Sequence, residues 1–182
     1  MKSNLSLRKV NLKTDIEELF DIMINGKDQM LFHGRVQFNY LADFERWFTD
    51  NLSRYYHDFY VVYDDANKKI AGYVYSYEYR SYDGHCKVCT VLTETYRQVG
   101  MGALVGLRFL KELFTNYPIR KVYLDIYNYN KQSLMSNLDA GFKEEGCLKN
   151  FRYDNGEYHD MHILSLTRET FYEKYRGIID EL

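Results

Sequence analysis

The middle of this chain leaves little freedom of fold. "DFYVVYD", "KIAGYVYSYEY" and "HCKVCTVLT" are strand-like runs rich in aromatic and β-branched residues, and only the short turns "DANK" and "SYDGH" separate them. The second turn carries an Asp-Gly signal, so this region reads as an antiparallel meander. A loop, "TETYRQVGMGA", follows from Thr93 to Ala103, and then "GALVGLRFLKELFTN". That run places Ala103, Leu107, Leu110 and Phe114 on one helical face, with Pro118 just past its end. "KVYLDIY" next reads as a buried strand, completing a strand–loop–helix–strand unit.

The flanks add to this centre. "LSLRKV" alternates as a first strand, and Thr14 with Glu17 three residues on forms a capping box for a helix carrying Ile16, Leu19, Phe20 and Met23. The stretch from Gly26 to Asn39 is irregular, and a second helix carries Leu41, Phe44, Trp47 and Phe48. After "KVYLDIY", the run "KQSLMSNLDA" reads as a short helix ended by Gly141. Two strands, "FKEEGCLKNFRY" and "YHDMHILSLT", then meet at "DNGE". The expected order is strand, two helices, three strands, helix, strand, helix, two strands. This is a mixed α/β sheet within one domain spanning residues 1–182, without repeat or linker.

Composition excludes several classes. The net charge of -2 gives neither a basic nucleic-acid surface nor an acidic tail. The start "MKSNLSLRKV" has no apolar signal core, and no run is long enough to span a bilayer, so the expectation is a cytoplasmic protein with neither nucleic acid nor membrane as partner. Nineteen tyrosines suit both a packed sheet and a polar pocket wall. Cys86 and Cys89 form a C-x-x-C, but on a strand residues three apart face opposite ways, and no second pair completes a zinc set. The three cysteines therefore read as core thiols. His159 and His162 face opposite ways by the same argument, and neither is assigned a metal.

A glycine-rich loop that opens a helix presents backbone N–H groups at the positive end of the helix dipole, a general cradle for phosphate. Arg97 adds charge beside Gly100 and Gly102. A P-loop would need Gly-Lys-Ser/Thr, and Ala103 follows Gly102 instead. A dinucleotide fingerprint is approached by Gly100, Gly102 and Gly106 with Asp125 downstream. Its first glycine should follow the strand directly, yet "ETYRQV" intervenes and the chain ends in a hairpin.

The stretch "LTETYRQVGMGALVGLRFL" resembles the acetyl-CoA signature of the GNAT superfamily of N-acetyltransferases, Gln/Arg-x-x-Gly-x-Gly/Ala, with Arg97, Gly100 and Gly102 at its fixed positions. "NKQSLMSNLDAGFKEEGCL" resembles the family's second landmark through Asn130, Gly141, Phe142, Glu145 and Gly146. The ribosomal-protein and spermidine acetyltransferase (Rim-like) branch is the nearest in appearance. The resemblance implies a mostly antiparallel sheet flanked by helices, with the strands "VCTVLT" and "VYLDIY" splayed apart. It implies acetyl-CoA as co-substrate, without a metal. Backbone amides of Gln98, Val99, Gly100, Met101, Gly102 and Ala103 would hold the pyrophosphate. The backbone near Val91 and Leu92 would pair with the pantetheine arm, and Asn130 and Ser133 would contact the arm or the nucleotide.

The thioester is already activated, so such an enzyme positions the amine, polarises the carbonyl, removes a proton from the amine and returns one to the thiolate. Many relatives place a tyrosine four residues before the glycine of Gly-Phe to protonate the thiolate. Here that position is Asn137, which cannot act as an acid, and Tyr129 is the substitute; Asn137 retains a role in hydrogen-bonding the thiol. For the base, Asp125 matches a strand position where some relatives carry a glutamate, with Glu94, Glu78, His33 and His85 as other candidates. The segments "GKDQMLFHGRVQF" and "KNFRYDNGEYHD" would wall the acceptor site, which suits a polyamine, amino sugar, aminoglycoside or protein N-terminus. A homodimer is left open as the assembly. The rival class is a non-catalytic acyl-CoA-binding domain, for which the missing tyrosine speaks.

Overall fold

The computed structural model describes residues 4–25, 38–97, 100–154 and 156–179. The strands are β1 (Leu5–Lys9), β2 (Tyr56–Asp64), β3 (Lys69–Arg80), β4 (His85–Leu92), β5 (Lys121–Tyr127), β6 (Lys143–Asp154) and β7 (Glu157–Thr167). The helices are α1 (Leu12–Phe20), α2 (Leu41–Arg54), α3 (Met101–Asn116), α4 (Lys131–Asp139) and α5 (Arg168–Tyr175). By hydrogen-bonded neighbours the strand order is β1-β2-β3-β4-β5-β7-β6. β1–β2, β2–β3, β5–β7 and β6–β7 pair antiparallel, and β4–β5 pairs parallel. The expected mixed, mostly antiparallel sheet with flanking helices is what forms.

The chain divides into two compact units, one running up to Glu78 and from Cys89 to Gly106, the other comprising Tyr79–Val88 and the residues from Leu107 on. The first unit is built around aromatic residues. Phe44 and Phe48 of α2, at helical spacing, are fully buried against Phe59, Tyr73 and Tyr75, which share one face of β2 and β3. Phe59 stacks on Tyr75 at 5.8 Å with 4° between the rings, and Phe48 meets Phe59 edge-on at 5.1 Å. Of the nineteen tyrosines, Tyr56, Tyr73, Tyr75, Tyr77 and Tyr127 are buried in strands, as aromatic enrichment in a packed sheet suggests, and Tyr40, Tyr55, Tyr82, Tyr153 and Tyr158 are exposed. Helix α1 starts earlier than Thr14. Asn11 is the N-cap, its side chain accepting from Lys13 N, while Asp15 Oδ2 accepts from Asn11 N at 2.7 Å. Asp15 wins this role because it is buried and also held bidentately by Arg8, at 2.7 and 2.9 Å. Helix α1 then runs into a single π turn, Asp21–Asn25.

In the second unit β5 carries the ladder. It pairs in parallel with the first three residues of β4, His85–Lys87 against Lys121–Tyr123, and over its own whole length it pairs antiparallel with Met161–Thr167 of β7. Buried Val122 and Ile126 lie on one face of β5, and Leu164 and Leu166 lie opposite residues of that face on β7. Gly141 ends α4 at φ 96°, a conformation that favours glycine. The sequence pattern held no sign of α5, since only Phe171 of its eight residues is buried. Its N-cap Thr167 accepts from Thr170 N, and Phe171 meets Phe114 at 5.3 Å. Among the described residues no helix is long and apolar enough to cross a membrane.

Candidate active site

The loop after β4 is anchored at its base. Tyr96 Oη donates to Asp64 Oδ2 at 2.6 Å, and Asp64 also accepts from the backbone N–H groups of Ala66 and Asn67. These hydrogen bonds, Tyr96's first, hold the Asp64 carboxyl far below the usual carboxylate range. Arg97 Nε donates to Leu92 O at 2.8 Å, so this arginine ties the loop to the end of β4.

The first hydrogen bond at the start of α3 runs from Leu104 N to Gly100 O at 3.0 Å. The amides of Met101, Gly102 and Ala103 precede it and have no carbonyl within the helix. Gly100 has φ 87°, which places the turn in the left-handed region. Among the described residues, a Cβ added at Gly100 or Gly102 would meet nothing within 4 Å. The glycines therefore leave space clear beside a helix N-terminus, whose unpaired amides suit an anion such as a pyrophosphate. Gln98 and Val99 lie outside the described residues.

The strand beside the loop is set by a close approach. A Cβ on Gly72 of β3 would lie 2.0 Å from Val91 O and 2.9 Å from Leu92 Cα. Only glycine lets β3 come so near. Thr93 N donates to Ala71 O at 2.9 Å, and Val91 and Leu92 are buried.

In the second unit the candidates gather on β5 and α4. Asp125 keeps a buried side chain and pairs with Lys87 Nζ at 2.8 Å through Oδ2, while its Oδ1 has no hydrogen-bond partner among the described residues. Asn130 is the N-cap of α4, its Oδ1 accepting from Ser133 N at 3.3 Å. Asn137 Nδ2 donates to Ser133 O at 2.8 Å and to Ser133 Oγ at 3.3 Å. Asn130, Ser133 and Asn137 are thus one linked set along the helix, and the Asn137 amide nitrogen serves that set.

Tyr129 lies in a different environment. Arg152 Nη1 donates to Tyr129 Oη at 3.1 Å, and the Arg152 guanidinium lies 4.7 Å from the centre of the Tyr127 ring. Tyr127 and Tyr129 stack at 5.4 Å, and His159 meets Tyr129 edge-on at 4.9 Å. A fixed positive charge beside the phenol oxygen stabilises negative charge on that oxygen. Neither Arg152 nor Lys87 was singled out from sequence. Each is an ordinary basic residue in a strand pattern, and only the tertiary fold brings it to its partner.

Several other candidates find structural places. His85 opens β4 and meets the Tyr123 ring at 5.4 Å. Glu94 is exposed in a short 3-10 turn, and Glu78 is exposed at φ 48°. His33, like most of the first acceptor segment, lies outside the described residues. His159 contacts Tyr129 while His162 Nδ1 contacts Glu144 Oε1 at 2.8 Å, on the opposite face of β7. The three cysteines are free thiols, and burial pushes Cys86 up to about 12 and Cys89 up to about 11, so both stay protonated.

A strand ending in an arginine-anchored loop, with glycine-fronted amides opening the next helix, is an arrangement that suits a phosphate-bearing ligand. The family model for the acetyltransferase (GNAT) domain matches residues 7–163. The chain belongs to this family, whose members move an acetyl group from acetyl-CoA to an amine, and acetyl-CoA is its co-substrate. Solved structures agree on the fold. The spermidine N-acetyltransferase of Vibrio cholerae in complex with CoA and spermine superposes with a TM-score of 0.83 at 20% identity, over 92% of this chain and 98% of that one. A chimera of the Vibrio cholerae spermidine N-acetyltransferase SpeG and hSSAT gives 0.80 at 20% identity, covering 93% and 98%. A single-residue mutant of the same Vibrio cholerae enzyme gives 0.79 at 19%, covering 93% and 98%. No curated protein sequence matches the chain.

Proposed function

We propose that residues 1–182 act as one acetyltransferase domain that acetylates a primary amine by direct attack within a ternary complex. The observation that carries this is the first turn of α3, where the amides of Met101, Gly102 and Ala103 open onto space that glycine keeps clear. Those amides, with Gln98, Val99 and Gly100, hold the pyrophosphate, while Arg97 fixes the loop. The backbone at Val91 and Leu92 takes the pantetheine arm, and Asn130 and Ser133 contact the arm or nucleotide. Acetyl-CoA supplies an acyl group already activated as a thioester, so the chain's own task is positioning and proton management.

Tyr129 returns a proton to the leaving thiolate. What supports this is Arg152, whose guanidinium lies beside the oxygen that becomes negative as the proton leaves. Asp125 takes the proton from the amine, directly or through water. Its Oδ2 is fixed by Lys87, and among the described residues its Oδ1 has no hydrogen-bond partner. Asn137, bonded to Ser133, positions the helix that carries Asn130 and Ser133.

The acceptor is a small amine or a protein N-terminus. The likeness to the spermine-bound enzyme puts a polyamine first among them, and the β6–β7 hairpin offers exposed Phe151, Tyr153 and Tyr158 for such a chain. The second reading, an acyl-CoA-binding domain without activity, is favoured by Asn137 at the usual tyrosine position. Thiol release from acetyl-CoA across spermidine, spermine, an amino sugar, an aminoglycoside and a peptide N-terminus separates the two. Amine-dependent release is expected with at least one. Tight CoA binding with no release above the solvent background for any amine would leave the binding domain as the function.

A further inference from the structure

On the face of the terminal hairpin opposite Tyr129 and His159, three metal-ligating groups meet. Glu144, Cys147 and His162 each offer a ligand atom, and these atoms all lie within 4.8 Å of one another. The way they come together is specific. Glu144 and Cys147 are three residues apart, so an unbroken strand would send them to opposite faces. The register instead passes from Glu144↔Leu164 to Gly146↔Ile163, leaving Glu145 as an extra residue. This bulge resets the alternation. Cys147 then sits directly across from His162, and Glu144 across from Leu164, two residues along the same face of β7. Glu145 turns to the other face, where its Oε1 accepts from Lys121 Nζ and Ser165 Oγ, each at 2.5 Å.

The set has the chemistry of a borderline-soft divalent ion. One thiolate, one imidazole nitrogen and one carboxylate suit zinc, whose ligands lie at about 2.0–2.3 Å in a tetrahedron and so about 3.3–3.8 Å from one another. His162 Nδ1 and Glu144 Oε1 share a hydrogen bond at 2.8 Å, which an ion would replace by opening the pair by about 0.5 Å, and with the Cys147 sulfur all three atoms lie within 4.8 Å, a span that rotamer adjustment of about 1 Å closes. The side chains of Glu144 and His162 are 43% and 20% exposed, so an ion can enter from solvent and keep a water in the fourth position. The thiolate and carboxylate together balance a divalent charge. The nearby ammonium of Lys149, which also interacts with Cys147, is held by Asp160 Oδ2 at 2.8 Å and is thereby largely neutralised.

We propose that Glu144, Cys147 and His162 bind one zinc-class divalent cation that ties β6 to β7. The site is separate from the groups assigned to acetyl transfer.

Cobalt(II) titrated into the metal-free full-length chain tests this, because a cobalt–thiolate bond gives a near-ultraviolet charge-transfer band. The band is expected to saturate at one equivalent in the wild type and to be absent in Cys147→Ser. Glu144→Gln keeps the thiol and alters an exposed side chain, so it is expected to fold and to weaken cobalt binding at least tenfold. Zinc is expected to raise the melting temperature of the wild type and not of Cys147→Ser, with CoA binding equal in both. No band in the wild type overturns the proposal. A band of equal strength in Cys147→Ser, or unchanged affinity in Glu144→Gln, overturns it as well.

Discussion

Replacing Gly102 with valine separates what the α3 loop does for folding from what it does for CoA. Among the described residues a Cβ at this position meets nothing within 4 Å, and the residue lies in the first turn of α3, where its φ is not in the left-handed region. The fold therefore suffers no clash. Exchanging glycine for valine in a helix gains about 0.3–0.5 kcal/mol from propensity alone, so the variant should unfold no more easily than the wild type. The new methyl groups occupy the space before the Met101–Ala103 amides. Losing one charge-assisted hydrogen bond to a phosphate costs about 1.5–3 kcal/mol, which is about tenfold to a hundredfold in affinity. Calorimetric titration with CoA, alongside urea unfolding, reads both effects. Acetyl-pantetheine lacks the pyrophosphate, so its use as acyl donor should be nearly unaffected while the KM for acetyl-CoA rises. A folded Gly102→Val protein that binds CoA within twofold of the wild type would refute the cradle. Gly100→Val is the contrast, since φ 87° makes a side chain cost about 1–2 kcal/mol of stability before any ligand is present.

Gly72→Ala should destabilise the chain by about 3 kcal/mol or more, because its Cβ would lie 2.0 Å from Val91 O; a loss below about 1 kcal/mol in urea unfolding would refute the close approach. Tyr129→Phe should lower kcat by about a hundredfold and leave the CoA dissociation constant unchanged, whereas full turnover would remove Tyr129 as the acid. Arg152→Ala should lower kcat in the same way, and its effect should largely vanish in the Tyr129→Phe background, since the two act through one hydrogen bond; independent, additive losses would sever the link. Burial alone would raise the Asp15 carboxyl, but hydrogen bonds from Arg8, Asn11 N and Thr14 outweigh it and hold the group below its ordinary value. Its contribution to stability is therefore complete above the unfolded value near pH 4 and is lost as pH falls through the lower folded value. Asp15→Asn should flatten the acid limb of stability against pH, and an unchanged slope below pH ~4 would contradict the pairing.

The elements of the meander and of the strand–loop–helix–strand unit were legible because their signals are local. Strand alternation, the Asp83-Gly84 turn, the helical stripe through Leu110 and Phe114, and the glycines at 100 and 102 each act over a few residues. Local signals failed where two were in competition or where none was present. Thr14 and Glu17 fit a capping box, but Asn11 lies nearer the strand end, and Asp15 is drawn inward by Arg8, a residue of β1. Helix α5 carries a single buried residue, Phe171, so it leaves no stripe to read.

The linear chain was enough to establish the order of elements from β1 to β7, the glycine-fronted helix start and, through two motifs, the likeness to the acetyltransferase family. It also showed which residue could not do the family's usual work, Asn137. How chemical groups are paired came from three dimensions alone. Arg152 reaches Tyr129 across 23 residues of chain, Lys87 reaches Asp125 from a neighbouring strand, and a one-residue bulge at Glu145 turns Glu144 and Cys147 toward His162. The reason is geometric. Side chains on a strand alternate with period two, so a single extra residue or a shift of register reverses which face a group occupies. That register is set by pairing with distant strands, and a window of neighbouring residues does not contain it.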